Sequence, residues 1–176
     1  MKVIAEITDE MFGKDSVPFN NPKIRYGARG IIERKDGLIA VFNKEEKNEY
    51  KLPGGGIDEG EEPEQAFIRE CLEETGCEID DINFWWITKE LKSLDNFQQV
   101  SYVFSAKVIK DTGKLNLTEK EKDEGAKLLW LSPEEALEKI VKCSTELKES
   151  KYDNMYYLQF MNYRDREILK YYIKSL

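Results

Sequence analysis

Three glutamates on a short predicted helix are the first residues whose types and spacing suggest chemistry. Glu70, Glu73 and Glu74 lie in a stretch bounded by Pro63 and Gly76. Proline is favoured at the first position of a helix, and glycine just beyond its end. Because residues three and four apart are neighbours on a helix, the three carboxylates share one face. Their spacing predicts a site for a hard divalent cation, and a solvated acidic surface is the alternative.

The other faces of this helix suggest how it is held in place. Ile68, Cys71 and Leu72 form a separate apolar stripe, which we expect to dock on a sheet. Arg69 lies one turn from Glu73 and offers one positive charge to the carboxylates. Divalent cations would offer more positive charge, although Glu-rich helices in general more often present a solvated acidic face.

The segment from Gly55 to Cys77, GGIDEGEEPEQAFIRECLEETGC, resembles the Nudix box, G-x5-E-x7-R-E-U-x-E-E-x-G-U, in which U is a bulky aliphatic residue. Every glycine, glutamate and arginine of that pattern is present at the right spacing, namely Gly55, Glu61, Arg69, Glu70, Glu73, Glu74 and Gly76. Seven fixed positions make a specific match. Cys71 and Cys77 occupy U positions, and we expect both thiols to lie in the core because buried cysteine behaves as a small hydrophobe.

The resemblance implies hydrolysis of a nucleoside diphosphate linked to another moiety, with Mg²⁺, or Mn²⁺, as the cofactor. It implies that the metal is held by residues Glu70, Glu73, Glu74 and Gly54. Arg69 would orient a glutamate through a charge-assisted hydrogen bond, and Glu61 would belong to the same network or to an outer metal shell. The backbone of Gly54–Gly56 would lie near the metal and the diphosphate. The candidate substrate-binding residues are Gly55, Gly56, Arg29 and Glu61, and the candidate catalytic residues are Glu70, Glu73, Arg69 and Glu124.

The general base is left open by the sequence. In many Nudix enzymes it is a glutamate of the box, and in others it comes from a downstream loop. Glu124, followed by Gly125 and later by Trp130, resembles the metal-binding glutamate loop of MutT-type members. Glu124 is therefore a candidate for a further metal ligand or for the base, and a solvated loop acid is the alternative.

The substrate is less well specified than the reaction. Strand aromatics could stack on a base, although such residues more often lie in the core: Phe84, Trp85, Trp86, Phe97, Tyr102 and Phe104. The segment LPGGG at the start of the box differs from the P-K-G or P-Q-G segment that dinucleoside-polyphosphate and RNA pyrophosphohydrolases have at this place. A nucleoside triphosphate or a related small nucleotide is the leading expectation. A nucleotide-sensing module without turnover and a nucleotide-sugar or ADP-ribose pyrophosphatase are the alternatives.

Composition excludes several other classes of protein. The chain has no histidine, which excludes Ser-His-Asp catalysis and histidine-ligated zinc, and its three cysteines form no C-x-x-C pair. The net charge of −8 disfavours binding to duplex nucleic acid. No apolar run approaches the roughly 18–20 residues that span a bilayer, and the N-terminus is a poor secretory signal. We expect a cytoplasmic protein that does not contact membranes.

The pattern of elements predicts an α/β fold, and the resemblance implies a Nudix α/β/α sandwich with a central mixed sheet and a C-terminal helical extension. A single domain is expected over 1–176, with an N-terminal extension at 1–23, a core at 24–144 and the C-terminal extension at 145–176. Residues 43–49 and 111–125 are interpreted as solvated loops, and Asp36-Gly37 as a hairpin turn. The tyrosine-rich C-terminal helix is expected to pack against the domain or against the second subunit of a homodimer.

Overall fold

Eight strands form one mixed sheet in the computed structural model, which describes residues 2–176. The strands are β1 (Val3–Thr8), β2 (Lys23–Glu33), β3 (Ile39–Lys44), β4 (Glu49–Lys51), β5 (Gly54–Gly56), β6 (Cys77–Lys92), β7 (Phe97–Asp111) and β8 (Ala126–Leu131). The helices are α1 (Pro63–Thr75), α2 (Glu119–Asp123), α3 (Pro133–Cys143) and α4 (Met155–Ile173). The prediction of an α/β fold with a central mixed sheet is confirmed.

The strand order is β1-β6-β7-β2-β3-β4, with β5 paired to β2 and β8 paired to β3. The pairs β1–β6 and β2–β7 are parallel, whereas the remaining pairs are antiparallel. The predicted hairpin is confirmed, because Glu33 pairs with Ile39 across the turn at Asp36-Gly37. Strand β2 pairs with β7 along its whole length, and its middle also pairs with β5. The short β5 is thereby fixed beside the centre of the sheet.

Two apolar cores lie on opposite faces of the sheet. Successive strand residues point to opposite sides, and Ile31 belongs to one buried cluster while Ile32 belongs to the other. Val103 and Phe104 divide in the same way. Helix α1 covers the face of Ile32 and Phe104, and α3 and α4 cover the opposite face. The result is the expected sandwich of helix, sheet and helices.

Both terminal segments are joined to the sheet and its cores. Strand β1 pairs in parallel with β6, and the buried Asp9 that follows it accepts hydrogen bonds from the Ser93 amide at 3.0 Å and from the Tyr156 hydroxyl at 2.6 Å. In α4, Ile168 and Leu169 are fully buried in the core shared with β2 and β3. The C-terminal helix therefore packs against the sheet of its own chain.

Three local predictions are wrong. Residues 43–49 are not a solvated connection, because Lys44, Lys47 and Glu49 are buried among opposite charges. The predicted loop at 111–125 contains α2, which Thr118 caps by accepting a hydrogen bond from the Glu121 amide. Ile68 and Leu72 remain exposed, because α1 docks through a neighbouring face.

Within residues 2–176, the helices are too short or too polar to cross a lipid bilayer.

Candidate active site

Helix α1 is oriented by a buried face that includes one of the three glutamates. The buried residues of α1 are Ala66, Phe67, Cys71, Glu74 and Thr75. Successive helical residues turn by about 100°, so a face centred on Phe67 includes Glu74 but leaves Ile68 and Leu72 in solvent. The helix ends at Gly76, whose φ of +69° is a left-handed conformation that suits glycine. The predicted helix boundaries are confirmed, whereas the predicted docking stripe is rotated.

Arg69 joins three glutamates into one network on the exposed side of α1. Its guanidinium donates to both carboxylate oxygens of Glu61, each at 2.9 Å. Nη1 also donates to Glu70 at 2.8 Å and to Glu73 at 3.3 Å. Nη2 reaches the Gly56 carbonyl at 3.0 Å, which ties α1 to β5. One arginine thus reduces the repulsion among three carboxylates and fixes their positions.

Glu61 is held in its charged form by this arginine. The hydrogen bonds from Arg69, followed by one from a backbone amide, lower the pKa of Glu61 to about 2. The same contacts raise the pKa of Arg69 above its usual value. A bidentate arginine–carboxylate pair fixes direction as well as distance. Glu61 and Arg69 therefore form a rigid brace between the loop before α1 and the helix.

Glu74 has different surroundings from the other two helix carboxylates. It is buried, and it accepts hydrogen bonds from the Gly54 amide at 2.7 Å and from Lys51 Nζ at 3.0 Å. Burial raises the pKa of Glu74 to about 7, against the opposing effect of Lys51 and the Gly54 amide. Loss of solvation destabilises the charged form of a carboxylate, so a second cation in addition to Lys51 would stabilise the charge on Glu74.

The three glycines of β5 allow the carboxylates to approach the backbone closely. A Cβ at Gly55 would lie 2.3 Å from Glu70 Oε1, in the space that the carboxylate occupies. Gly54 has a φ of +132°, and a Cβ there would lie 2.3 Å from the Ala28 carbonyl oxygen. A Cβ at Gly56 would meet the Arg25 guanidinium at 2.8 Å. Glycine is required at 54 and 55 for the observed contacts between α1, β5 and β2.

A small charged cleft of about 250 Å³ opens between β5, the α2 loop and α4. Glu70 and Glu74 line it, while Glu73 lies outside it and its side chain is 39% exposed. Arg29 also lines this cleft, together with the following basic residues: Arg25, Lys44, Lys47, Lys51, Lys120 and Arg164. All seven basic side chains come from outside residues 55–77, and five of them belong to strands of the sheet or to α4, so these elements supply most of the positive charge.

Glu124 lies within a buried group of lysines. One of its oxygens is 2.7 Å from Lys44 Nζ, and the other is 3.2 Å from Lys47 Nζ. Ser150 also donates a hydrogen bond to it at 3.1 Å. The acid of this loop that lines the cleft is Glu121, which interacts with Glu74 and Lys51. The arrangement gives Glu124 a role in holding the lysines and leaves Glu121 beside the helix carboxylates.

A second, larger cleft of about 920 Å³ adjoins the first and shares Arg25 with it. Tyr26 and Tyr102 line this cleft with their ring centroids 6.5 Å apart. Among the aromatic residues considered for base stacking, Tyr102 lines this cleft, whereas Trp86 lies in the core. Phe84 is half-exposed beside Tyr102. The sequence did not single out Tyr26.

The donor chemistry of the site fits a hard divalent cation. Glu70 and Glu74 supply carboxylate oxygens, and the three cysteines are buried elsewhere. No three acidic or cysteine side chains of residues 2–176 are gathered tightly enough to form a ready-made metal cluster. Arg69 and Lys51 instead hold the carboxylates in ion pairs. An oxygen-only set of this kind suits Mg²⁺ or Mn²⁺.

Several residues of the site were not found by sequence reasoning. Lys51 precedes the LPGGG segment directly, so its closeness to the glycines was a usable signal. Glu121 was visible as one of several loop acids, but nothing in the sequence ranked it above Glu124. Arg164 lies 87 residues beyond Cys77, the last residue of the box. No local pattern could have connected it to Glu74.

Comparisons with known proteins identify the family of this chain. The NUDIX domain family model matches residues 23–150. A MutT-like protein of Streptomyces ambofaciens is 27% identical over 111 residues, which cover 63% of this chain and 66% of that protein. An RNA pyrophosphohydrolase of Actinobacillus succinogenes is 36% identical over 59 residues. That match covers 34% of this chain and only 30% of the relative's length.

A solved structure from Chromobacterium violaceum, assigned to the nudix hydrolase family, superposes with a TM-score of 0.51. The sequences are 22% identical, and the match covers 90% of this chain and 80% of the other. At this identity the likeness bears on the fold alone. The family model covers well over half of the chain and includes the whole of the Arg69 network and β5. This chain therefore belongs to the NUDIX domain family, as the resemblance of residues 55–77 predicted.

Proposed function

We propose that this protein hydrolyses a phosphoanhydride bond in a nucleoside triphosphate or a related small nucleotide, with Mg²⁺ or Mn²⁺ as its cofactor. The observation that carries the proposal is the pair of carboxylates, Glu70 and Glu74, that contact the glycine backbone of β5 at the mouth of a basic cleft. Carboxylates with basic groups beside them suit a metal bound to a phosphate chain. We also propose a cytoplasmic location.

The family resemblance implies the residue roles, and the contacts support those of Glu70, Glu74 and Arg69. Glu70, Glu73 and Glu74 would hold the metal, with the backbone of Gly54 close to it. When bound, the metal supplies electrostatic stabilisation of the charge that develops on the phosphoryl group. Arg69 and Glu61 position Glu70 and Glu73 through the hydrogen bonds described above.

The substrate would lie across the two adjoining clefts. Gly55, Gly56 and Arg29 would contact the phosphates, while Tyr26 and Tyr102 would stack against the base. Glu121 lines the phosphate cleft and interacts with Glu74, which supports it over Glu124 as the loop acid that contributes a further ligand or the general base.

An RNA 5′ end is a second candidate substrate, because several matched relatives are RNA pyrophosphohydrolases. The matched portions span about 30% of those relatives, and the net charge of −8 disfavours a long nucleic acid. A sensing module without turnover is a third candidate. The retention of all the box carboxylates argues against it.

Hydrolysis of a substrate panel tests these alternatives directly. The panel contains nucleoside triphosphates, ADP-ribose, a nucleotide sugar and a 5′-triphosphorylated RNA oligonucleotide, each with and without Mg²⁺. Release of phosphate and diphosphate is measured. We expect Mg²⁺-dependent turnover that is fastest with a nucleoside triphosphate. Absence of turnover with every compound would support the sensing module.

Two substitutions on α1 test the residue roles. We expect Glu73→Gln and Glu74→Gln each to lower kcat by about a hundredfold or more, because each removes a charge from the site. Glu64→Gln is the matched control, since Glu64 is an exposed glutamate on the same helix. Unchanged rates in both site variants would refute the proposed mechanism.

A further inference from the structure

Arg29 is a buried cation that the fold leaves without a carboxylate partner. It is 6% exposed, and the described contact of its side chain is a hydrogen bond from Nε to Ser101 Oγ at 3.3 Å. Within residues 2–176, no carboxylate oxygen lies within 4.0 Å of its guanidinium. Burying an unpaired charge is costly, so a buried arginine that lines a cleft indicates a place for an anion.

Arg164 brings a second guanidinium to the same cleft from α4. Its Nη1 donates to Glu90 at 2.7 Å and its Nε donates to Asp165 at 2.7 Å. The third guanidinium nitrogen, Nη2, takes no part in these two hydrogen bonds. Arg164 is 3% exposed, so these two carboxylates fix its position. Burial and then the charge of Arg164 lower the pKa of Arg29 to about 10, whereas the charges of Asp165, Glu90 and Glu74 partly oppose this lowering. Two guanidinium groups that line the same cleft and whose charges repel each other would be stabilised by an anion that contacts both.

The cleft has the size and the lining for a phosphate group. Its volume of about 250 Å³ is below the roughly 300–1,000 Å³ of a pocket that encloses a whole small molecule. Seven basic and five acidic side chains line it, although the chain as a whole has a net charge of −8. No aromatic side chain lines it. A base or a sugar therefore fits the adjoining tyrosine cleft better than this one.

We propose that Arg29 and Arg164 form an anion subsite that binds the terminal phosphates of the substrate, beyond the carboxylates Glu70 and Glu74. The proposal rests on the proposed function, and it names the part of the substrate that enters the small cleft. A chain of phosphates would extend from the metal carboxylates towards α4, with the nucleoside in the tyrosine cleft. The C-terminal helix is then part of substrate selection, favouring a phosphate end over a second sugar or base.

The test is binding of inorganic diphosphate, measured by titration calorimetry with and without Mg²⁺ and therefore independent of turnover. Arg29→Gln removes the charge without leaving a paired carboxylate behind, and its folding is checked by thermal unfolding. Arg34→Gln is the matched control, because Arg34 is an arginine just beyond the end of the same strand and does not line the cleft. We expect Arg29→Gln to weaken diphosphate binding by about tenfold or more, Arg29→Lys to weaken it less, and Arg34→Gln to leave it unchanged.

A folded Arg29→Gln protein that binds diphosphate as tightly as the parent would overturn the proposal, as would a parent that does not bind diphosphate. If turnover is observed, the same variant should raise KM for a nucleoside triphosphate more than it lowers kcat. A parent that binds diphosphate through Arg29 but hydrolyses no nucleotide would keep the subsite and refute the proposed function. Turnover with an unchanged KM in Arg29→Gln would refute the subsite alone.

Discussion

Two charged networks meet at the small cleft, and they are built differently. Around Arg69, the partners Glu61, Glu70 and Glu73 lie within eight residues of it along the chain, and the arginine side chain is 30% exposed. Around Arg164, the partner Glu90 lies 74 residues away, and both side chains are almost fully buried. The Arg69 network arranges carboxylates on the surface of α1. The Arg164 network joins α4 to strand β6 of the sheet in the interior of the protein.

This difference suggests that the exposed Arg69 network serves function, whereas the buried Arg164 network is needed for stability. Exposed ion pairs are weakened by solvent and contribute little to folding, but they can fix the direction of a catalytic side chain. Buried pairs contribute little net stability as pairs, yet losing one partner leaves an uncompensated charge in the interior. Substitutions in the Arg69 network should therefore have little effect on the free energy of unfolding, whereas substitutions in the Arg164 network should lower it.

The largest expected effect is on folding and compares the two arginines. Arg164→Ala leaves Glu90 and Asp165 buried with fewer partners, and we expect it to lower the free energy of unfolding by about 3–5 kcal/mol. For Arg69→Ala we expect about 1 kcal/mol or less after allowance for solvent screening. Urea unfolding at pH 7 measures both. Equal losses in the two variants would contradict the distinction between the networks.

The next effect is on activity without a matching effect on folding. Glu61→Gln weakens the bidentate brace on Arg69, so Glu70 and Glu73 are less well positioned. We expect kcat/KM for the best nucleotide substrate to fall about 10–100-fold, as is typical for a residue that orients metal ligands. The melting temperature should hardly change. A fall in melting temperature that accounts for the lost activity would show that the brace is mainly structural.

The smallest effect is the loss of stability in acid. Burial opposes the charge on Glu90, but Arg164 and Lys92 outweigh it and lower the pKa of Glu90 from 4.5 to about 2. A lowered pKa stabilises the fold above the unfolded value, and this contribution is lost as the pH falls from 4.5 towards 2. We expect the free energy of unfolding to fall by about 1–2 kcal/mol between pH 7 and pH 3 because of this group. Urea titrations at the two pH values measure it.

The contribution of the exposed network can be separated in the same titrations. Glu61 also has its pKa lowered to about 2, but it lies near the surface. By the same linkage, Glu61→Gln should make the decline of stability in acid smaller, but most of the decline should remain because solvent screening weakens this partly exposed pair. A decline that disappears in this variant would assign the acid sensitivity to the Arg69 network instead.

Much of the site near α1 could be predicted because its signals are local. Pro63 and Gly76 bound the helix, and the spacing of Glu70, Glu73 and Glu74 follows from helical geometry alone. The orientation of the helix could not be predicted in the same way. Of the predicted stripe only Cys71 is buried: Ile68 and Leu72 are as apolar as the residues that are buried, and only the position of the sheet made Phe67 the centre of the docking face.

The buried charges show the limit of local patterns most clearly. Residues 43–49 are polar and were interpreted as solvated, yet Lys47 is 1% exposed because Glu49, Glu124 and Asp153 surround it. From the sequence, Glu124 is a candidate for a further metal ligand or for the general base, but the fold brings lysines to it and brings Glu121 to the cleft. A charged segment has the same composition whether its partners are water or other side chains.

The sequence by itself determined the family of this protein, because the carboxylates, their arginine and the glycines lie within one short segment whose geometry is set by a helix and a turn. Only the tertiary structure decided which of the carboxylates is buried, which loop acid reaches it and which arginines line the cleft. Arg29, Glu90 and Arg164 come from two strands and the last helix, and their charges are brought together only when the sheet and α4 pack. The sequence order of such residues contains no information about their distance in space.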